Sequence, residues 1–327
     1  MTPATTNRRV LLLFIDGVGV GVDDPGSNPL ATGAFPTLRL TEKLTPQSRV
    51  GPPAMAWGLD AGLGVPGLPQ SATGQTAILT GVNAPEAMGR HVSGFPGPTL
   101  RRILLEHSVL KRLRDRGRSA VFLNAFRPEY FEHPEAHRRL SATSIATLAS
   151  GAPFRSWEDL LAGRAVTHDL THWRMRERGY ALPDRSAEEA GEIIAREAMR
   201  HDFSLFEYFE TDRSGHAQDG ERLTRCLRDL DRAIGTVLDR VDLERITVIV
   251  ASDHGNIEDG SVKTHTQNPA FFAAWSSEAR RDRAPGGLRD GGSGATGDGA
   301  SGPPNTPRRL TDLTPFILGE IGVTSAA

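Results

Sequence analysis

The chain has 327 residues, 38% hydrophobic and 24% charged, with 35 Gly, 22 Pro, a single Cys and a formal net charge of −2. That describes a soluble globular protein and excludes a fibre, a disulfide mini-protein and a polybasic binder. The lone Cys226 rules out an intramolecular disulfide and a four-cysteine zinc site, and fits a reducing, cytoplasmic setting.

Along the chain, Arg8-Arg9 precedes the apolar run Val10–Ile15, which Asp16-Gly17 ends at once. The run is too short for a signal core or a membrane span, so it is expected to be a buried first strand. Gly17-Val18-Gly19-Val20-Gly21 follows, but Asp23-Asp24-Pro25-Gly26 stands where a dinucleotide-binding turn needs a helix, and Asp16 would repel pyrophosphate. Next come a helix over 71–80, a helix over 99–116 and a strand at 119–123. The stretch 125–184 has no clean strand pattern and is expected to form a small inserted cap with a helix near 141–149. A helix over 186–200, strands at 203–209 and 246–251, and a helix over 310–321 complete the pattern. Between the last two strands, Leu223, Leu227, Leu230, Ile234, Val237 and Val241 form one apolar face of a helix over 219–241, with Cys226 packed beside it. Alternating strands and helices of this kind predict an α/β protein, a sheet covered by helices on both faces. Residues 280–309 are rich in Gly and Pro, with almost nothing apolar to bury, and are expected to be a disordered loop.

Of the 38 basic residues only Lys43, Lys111 and Lys263 are lysines, and they are interspersed with 40 acidic residues. No basic stripe emerges, so neither nucleic acid nor a membrane is an expected partner.

The chemistry-bearing residues fall just beyond the strands. Asp16 closes the first, Asp212-Arg213-Ser214-Gly215-His216 follows the strand at 203–209, and Asp253-His254 follows that at 246–251, with His265 shortly after. Each alone reads more easily as a loop residue. Four such clusters at the carboxyl edge of one sheet, where open α/β sheets bind ligands, are a different matter. So many acids would repel one another without a cation, and a mixed carboxylate and imidazole set suits Zn²⁺, Mn²⁺ or Fe rather than a calcium cage. Ser71 opens the helix over 71–80. It can be an ordinary N-cap, or a nucleophile whose phosphate is favoured by the helix N-terminus. It is not in a Gly-x-Ser-x-Gly elbow, which disfavours a serine hydrolase. His168, Asp169, His172, Arg174 and Lys263 are polar enough to reach a phosphoester, although a surface or structural role is the commoner fate of each.

Phe14-Ile15-Asp16-Gly17, Ser71-Ala72-Thr73-Gly74, Asp212-Arg213-Ser214-Gly215-His216, Asp253-His254-Gly255-Asn256 and Thr264-His265-Thr266-Gln267-Asn268-Pro269 occur in an order that resembles the metal-dependent alkaline phosphatase superfamily. Within it they resemble the branch of cofactor-independent phosphoglycerate mutases and phosphopentomutases. The resemblance implies a three-layer α/β/α sandwich with a small inserted cap. Residues 1–124 and 185–327 would form one discontinuous catalytic domain and 125–184 the cap. It also implies two divalent ions, Mn²⁺ or Zn²⁺ with Mg²⁺ as an alternative. One would be held by Asp212, His216 and His265, the other by Asp16, Asp253, His254 and the Ser71 oxygen. Ser71 would form a phosphoseryl intermediate on a small phosphorylated metabolite. Gln75 stands where the two mutases usually have His, and the segment between Ser71 and Asp212 is short. A closed site that keeps a dephosphorylated product from water is harder to build from so little chain. The expectation is therefore a phosphoric ester hydrolase, with a phosphomutase as the alternative and a catalytically inactive metal-binding relative as the reading of another class. Substrate identity and oligomeric state are not legible.

Overall fold

The computed structural model describes residues 8–132, 139–277 and 306–323. Six strands, β1 (Arg9–Ile15), β2 (Met55–Leu59), β3 (Ala120–Phe122), β4 (Phe203–Tyr208), β5 (Ile246–Ala251) and β6 (Ala270–Trp275), form one sheet in the order β2-β6-β5-β1-β4-β3. β1 runs parallel to both β4 and β5, with Leu12 opposite Leu205 on one side and Ile249 on the other. β6 is antiparallel to β5 and β2.

The helices are α1 (Ser71–Thr80), α2 (Ala84–Met88), α3 (Pro98–His107), α4 (Val109–Arg114), α5 (Pro128–Glu132), α6 (Ala142–Ser150), α7 (Trp157–Leu161), α8 (Trp173–Glu177), α9 (Ala187–Ala198), α10 (Glu210–Ala217), α11 (Gly220–Arg240) and α12 (Leu313–Glu320). β1 is apolar at nearly every position because both of its faces are covered. Leu11, Leu13 and Ile15 join the core beneath α9 and α11, while Val10, Leu12 and Phe14 join the core beneath α1, α4, α6 and α12. The result is a three-layer α/β/α sandwich. Among the described residues no helix is long and apolar enough to cross a membrane.

The expected helix over 99–116 is two helices. Ser108 has an extended backbone, φ −60° and ψ 142°, and its hydroxyl accepts from the Lys111 amide to cap α4. A serine competes for backbone in this way and breaks an otherwise continuous apolar stripe. β2 and β6 were not expected. β6 is buried at all six positions, and a short apolar run without alternation carries no strand period.

Residues 125–184, expected as a cap, contribute Leu140, Ala142, Ile145 and Ala146 to one face's core and Val166, Leu170 and Trp173 to the other's. Leu160, Met175 and Leu182 form a small cluster of their own. The expected Gly-rich loop over 280–309 lies outside the described residues as far as 305.

Candidate metal centre

Parallel pairing of β1, β4 and β5 brings their carboxyl ends together, so the residues that follow each strand meet in one crevice. Asp16 leaves β1 through a tight turn at Gly17, φ +72°, where a Cβ would lie 2.8 Å from the Asp212 side chain. Only glycine allows both the left-handed backbone and that approach. α10 is drawn beside it by the Thr211 hydroxyl, which donates to the Asp16 carbonyl at 2.5 Å. On the other side α1 packs directly on Asp253. A Cβ at Gly74 would sit 3.0 Å from both the Asp253 Cβ and its carbonyl oxygen.

Two groups of ligating atoms result, Asp212-His216-His265 and Asp16-Asp253-His254, each with its atoms within 4.8 Å of one another. In the first, His216 Nδ1 donates to the Lys263 carbonyl at 2.7 Å and His265 Nδ1 to the Pro69 carbonyl at 2.8 Å. Carbonyls only accept, so both Nδ1 atoms carry protons and both neutral rings turn an Nε2 lone pair inward. Those Nε2 atoms are 3.1 Å apart, and each is 3.4 Å from Asp212 Oδ1. Two lone pairs and a carboxylate facing one another at these distances repel, and a cation resolves the conflict. Asn256 fixes the carboxylate, donating from Nδ2 to Asp212 Oδ1 at 2.8 Å. Burial opposes charge on Asp212, but the Asn256 hydrogen bond helps to hold its carboxyl below the usual carboxylate range.

The second group is the more deeply buried: Asp253 and His254 are 0% exposed and Asp16 is 7% exposed. Both oxygens of Asp253 and Oδ1 of Asp16 are buried without a well-formed hydrogen bond, and their one near cationic group is His254, whose Nε2 lies 3.3 Å from Asp16 Oδ1 and 3.5 Å from Asp253 Oδ2. Orphaned carboxylate oxygens in a dry site are costly unless a cation occupies it. Burial, together with Asp16 and Asp212, pushes Asp253 well above the usual carboxylate range. Burial disfavours charge on His254, yet Asp253, Asp16 and Asp212 raise it to about 10. The donor set therefore fits divalent metal at both places on geometry and on charge.

Ser71 is the first residue of α1, and Gln70 holds the N-cap position. The serine hydroxyl therefore does not cap its helix. It lies 3.0 Å from His254 Nε2 instead, beside the second group. Gln75, one turn on, donates from Nε2 to Asp16 Oδ2 at 3.2 Å. All seven expected ligand residues thus converge. Of the other polar candidates, only His168 lines the adjoining cleft. Asp169 accepts from the Arg174 amide, His172 Nδ1 donates to the Pro183 carbonyl, and Arg174 pairs with Glu177. The Lys263 carbonyl anchors His216, as described above.

Glu258 was missed. It is 1% exposed, its Oε2 accepts from the amides of Gly19 and Asn256 at 2.8 Å each, and its Oε1 accepts from Thr266 and, at 3.1 Å, from Asn268. One carboxylate thus ties together the loops after β1 and β5 and the loop that carries His265. The available signal was a carboxyl four residues past His254 in a segment already marked by its chemistry. Glu258→Ala is expected to lower unfolding stability by roughly 2–4 kcal/mol, because two buried amides lose their acceptor. Urea denaturation measures this, and a loss below about 1 kcal/mol would show that water replaces the carboxylate.

The centre opens into a cleft of about 390 Å³ lined by Asp16, Ser71, Gln75, Asp212 and Arg213 at one side and by Phe95, Phe122, Phe126, Phe209 and Glu207, among others, beyond. Burial raises Glu207 to about 7, against a hydrogen bond from Thr143 and with Asp16 adding to the rise. A folded pKa above the unfolded value stabilises the fold below about 4.5, and the stabilisation is lost as pH rises through 7. Glu207→Gln removes that dependence, so the variant is expected to gain on the wild type by roughly 2 kcal/mol between pH 5 and pH 8 in urea denaturation. An unchanged difference between the two pH values would show that Glu207 titrates normally.

These features define a class, an α/β protein whose sheet edge gathers, around a serine, two groups of side chains that could hold a metal ion. Comparison with known proteins is consistent with it. The family model described as the Metalloenzyme superfamily matches residues 177–295, the segment that carries Asp212, His216, Asp253, His254 and His265. The 2,3-bisphosphoglycerate-independent phosphoglycerate mutase of Methanopyrus kandleri is 33% identical over 91 residues, 27% of this chain and 21% of that protein. The mutase of Desulforudis audaxviator is 30% identical over 115 residues, 33% of this chain and 23% of that protein. The matched segments thus span less than a quarter of those mutases. Among solved structures, a Pyrococcus horikoshii protein shares the fold, with a TM-score of 0.52 and 16% identity over 98% of both chains.

Proposed function

We propose that the protein is a metal-dependent phosphoric ester hydrolase that acts on a small phosphorylated metabolite through a phosphoseryl intermediate. Asp212, His216 and His265 would hold one divalent ion, and Asp16, Asp253, His254 and the Ser71 oxygen the other. Mn²⁺ or Zn²⁺ suits these donors best, with Mg²⁺ as an alternative. The observation that carries the reading is the Ser71 hydroxyl, which has no capping duty and stands beside orphaned carboxylate oxygens at a helix N-terminus.

Bound divalent ions supply charge neutralisation for the phosphoryl group and a lowered pKa for the serine hydroxyl. The chain's residues do the rest. Ser71 Oγ attacks phosphorus, the bond to the ester oxygen breaks, and the alcohol leaves with a proton. The N-terminal end of α1, where Ser71 sits, favours the charge of the phosphoryl oxygens through the helix dipole. Water then attacks the phosphoserine, regenerating Ser71 and releasing phosphate. Gln75 holds Asp16, and Arg213, which lines the cleft, is held by Glu210. Residues 125–184 close the far side through Phe126, Ser141, Ser144 and His168.

A phosphomutase is the second reading, favoured by the named activity of the Methanopyrus and Desulforudis relatives. The deciding experiment screens phosphorylated metabolites with Mn²⁺ or Zn²⁺ and scores both free phosphate and isomerised ester. Release of phosphate without isomer supports hydrolysis, isomer without phosphate supports the mutase, and neither product from metal-loaded protein overturns both.

A further inference from the structure

The cleft beyond the metal centre has a chemical bias of its own. Phe95, Phe122, Phe126 and Phe209 line it together with Glu207. Thr143 Oγ1 donates to Glu207 Oε2 at 2.7 Å, so the threonine must accept from Ser141 Oγ, 2.8 Å away. With its only proton spent on Thr143, Ser141 Oγ accepts in turn from Ser144 Oγ at 2.9 Å. Every hydroxyl proton in this chain runs toward Glu207, and with both Ser141 lone pairs taken by the Ser144 hydroxyl and amide, it is Ser144 Oγ that presents open lone pairs to the cleft. Asn124 turns its amide onto the Glu207 backbone, donating to the carbonyl at 2.7 Å and accepting from the amide at 2.9 Å. His168 and Arg213 are turned to Glu210, at 3.3 and 3.0 Å. No described residue donates a hydrogen bond to Glu207 Oε1. The far end of the cleft is therefore apolar walls around open acceptors.

Building on the phosphoester reading, we propose that the substrate's alcohol half is not anionic, lays an apolar face on the phenylalanines and donates a hydrogen bond to Glu207. A carboxylate there would meet acceptor lone pairs and a buried carboxyl, the arrangement that excludes a ligand by repulsion. A phosphorylated acid, such as a phosphoglycerate, is thus disfavoured, and a phosphorylated hydroxylated or aromatic alcohol is favoured.

The test is binding, which does not depend on turnover. Benzylphosphonate, 4-(hydroxymethyl)benzylphosphonate and 4-carboxybenzylphosphonate are titrated calorimetrically into the Mn²⁺-loaded full chain at pH 8. The hydroxymethyl probe is expected to bind at least as tightly as the parent, and the carboxylated probe at least about tenfold more weakly. Glu207→Gln is expected to narrow that gap severalfold. Equal or tighter binding of the carboxylated probe, an unchanged gap in Glu207→Gln, or no binding of any probe overturns the proposal. Should the variant not fold, the wild-type ranking alone decides. p-Nitrophenyl phosphate turnover separates this from the hydrolase reading: the expected ranking without turnover overturns hydrolysis and supports the subsite, whereas turnover with the ranking reversed overturns the subsite alone.

Discussion

Ser71→Ala is expected to lower phosphate release by about 10³-fold or more while leaving the protein folded. The reason lies in what the hydroxyl does not do. Ser71 occupies the first helical position, with Gln70 at the N-cap, so its oxygen contributes no capping hydrogen bond that alanine would remove. Its neighbour is His254 Nε2, 3.0 Å away in a crevice of buried carboxylates. Removing the hydroxyl takes one contact from the buried His254 Nε2, which still faces Asp16 Oδ1 at 3.3 Å, so the change costs little stability. Steady-state phosphate release and urea denaturation of the same preparation measure the two effects. A variant with the wild-type rate would show that water attacks phosphorus directly and that Ser71 only lines the site. A variant with neither rate nor fold would show that the hydroxyl is structural after all.

The second large effect concerns the cations. Withdrawing divalent metal with a chelator is expected to abolish turnover, and adding it back to stabilise the fold. At a free concentration 1,000 times the dissociation constant, each ion that binds only the folded chain contributes about 4 kcal/mol. The physical source is visible in both groups. His216 and His265 face each other through inward lone pairs, and Asp253 has no well-formed hydrogen bond to either oxygen. Thermal unfolding with and without Mn²⁺ measures the gain, and His265→Ala is expected to lose part of it and Asp253→Ala another part. No stabilisation at saturating metal would mean that neither group binds an ion in the native state.

How far this could be read in the sequence depended on whether the signal was local. Asp16, Asp212 and Asp253-His254 each stand just past an apolar run, so strand, edge and ligand could be recognised together. The pairing of β1 with β4 and β5 then brings them to one place. β6 escaped because Ala270–Trp275 is buried on both faces and shows no alternation, and β2 because it is a half-buried edge strand containing Gly58. The break at Ser108 was hidden in a continuous apolar stripe, since a serine's choice between helix interior and cap depends on its backbone and not on its neighbours' polarity. The partners of Glu258 and Glu207 were illegible for a different reason. Glu258 acts by gathering amides and side chains from three loops, and Glu207 by meeting Thr143 across the β4–α6 interface. Neither partnership has a spacing that the chain could display. Ser71 lay between these cases, since its place at the helix start was readable but its freedom from the cap was not.

Anomalous diffraction from crystals grown with Mn²⁺ tests the central claim most directly. Two peaks are predicted, one enclosed by Asp212, His216 and His265 and the other by Asp16, Asp253, His254 and the Ser71 oxygen. Mn²⁺-saturated crystals with no peak at either group, or with peaks only elsewhere on the chain, would contradict a two-ion phosphotransfer centre.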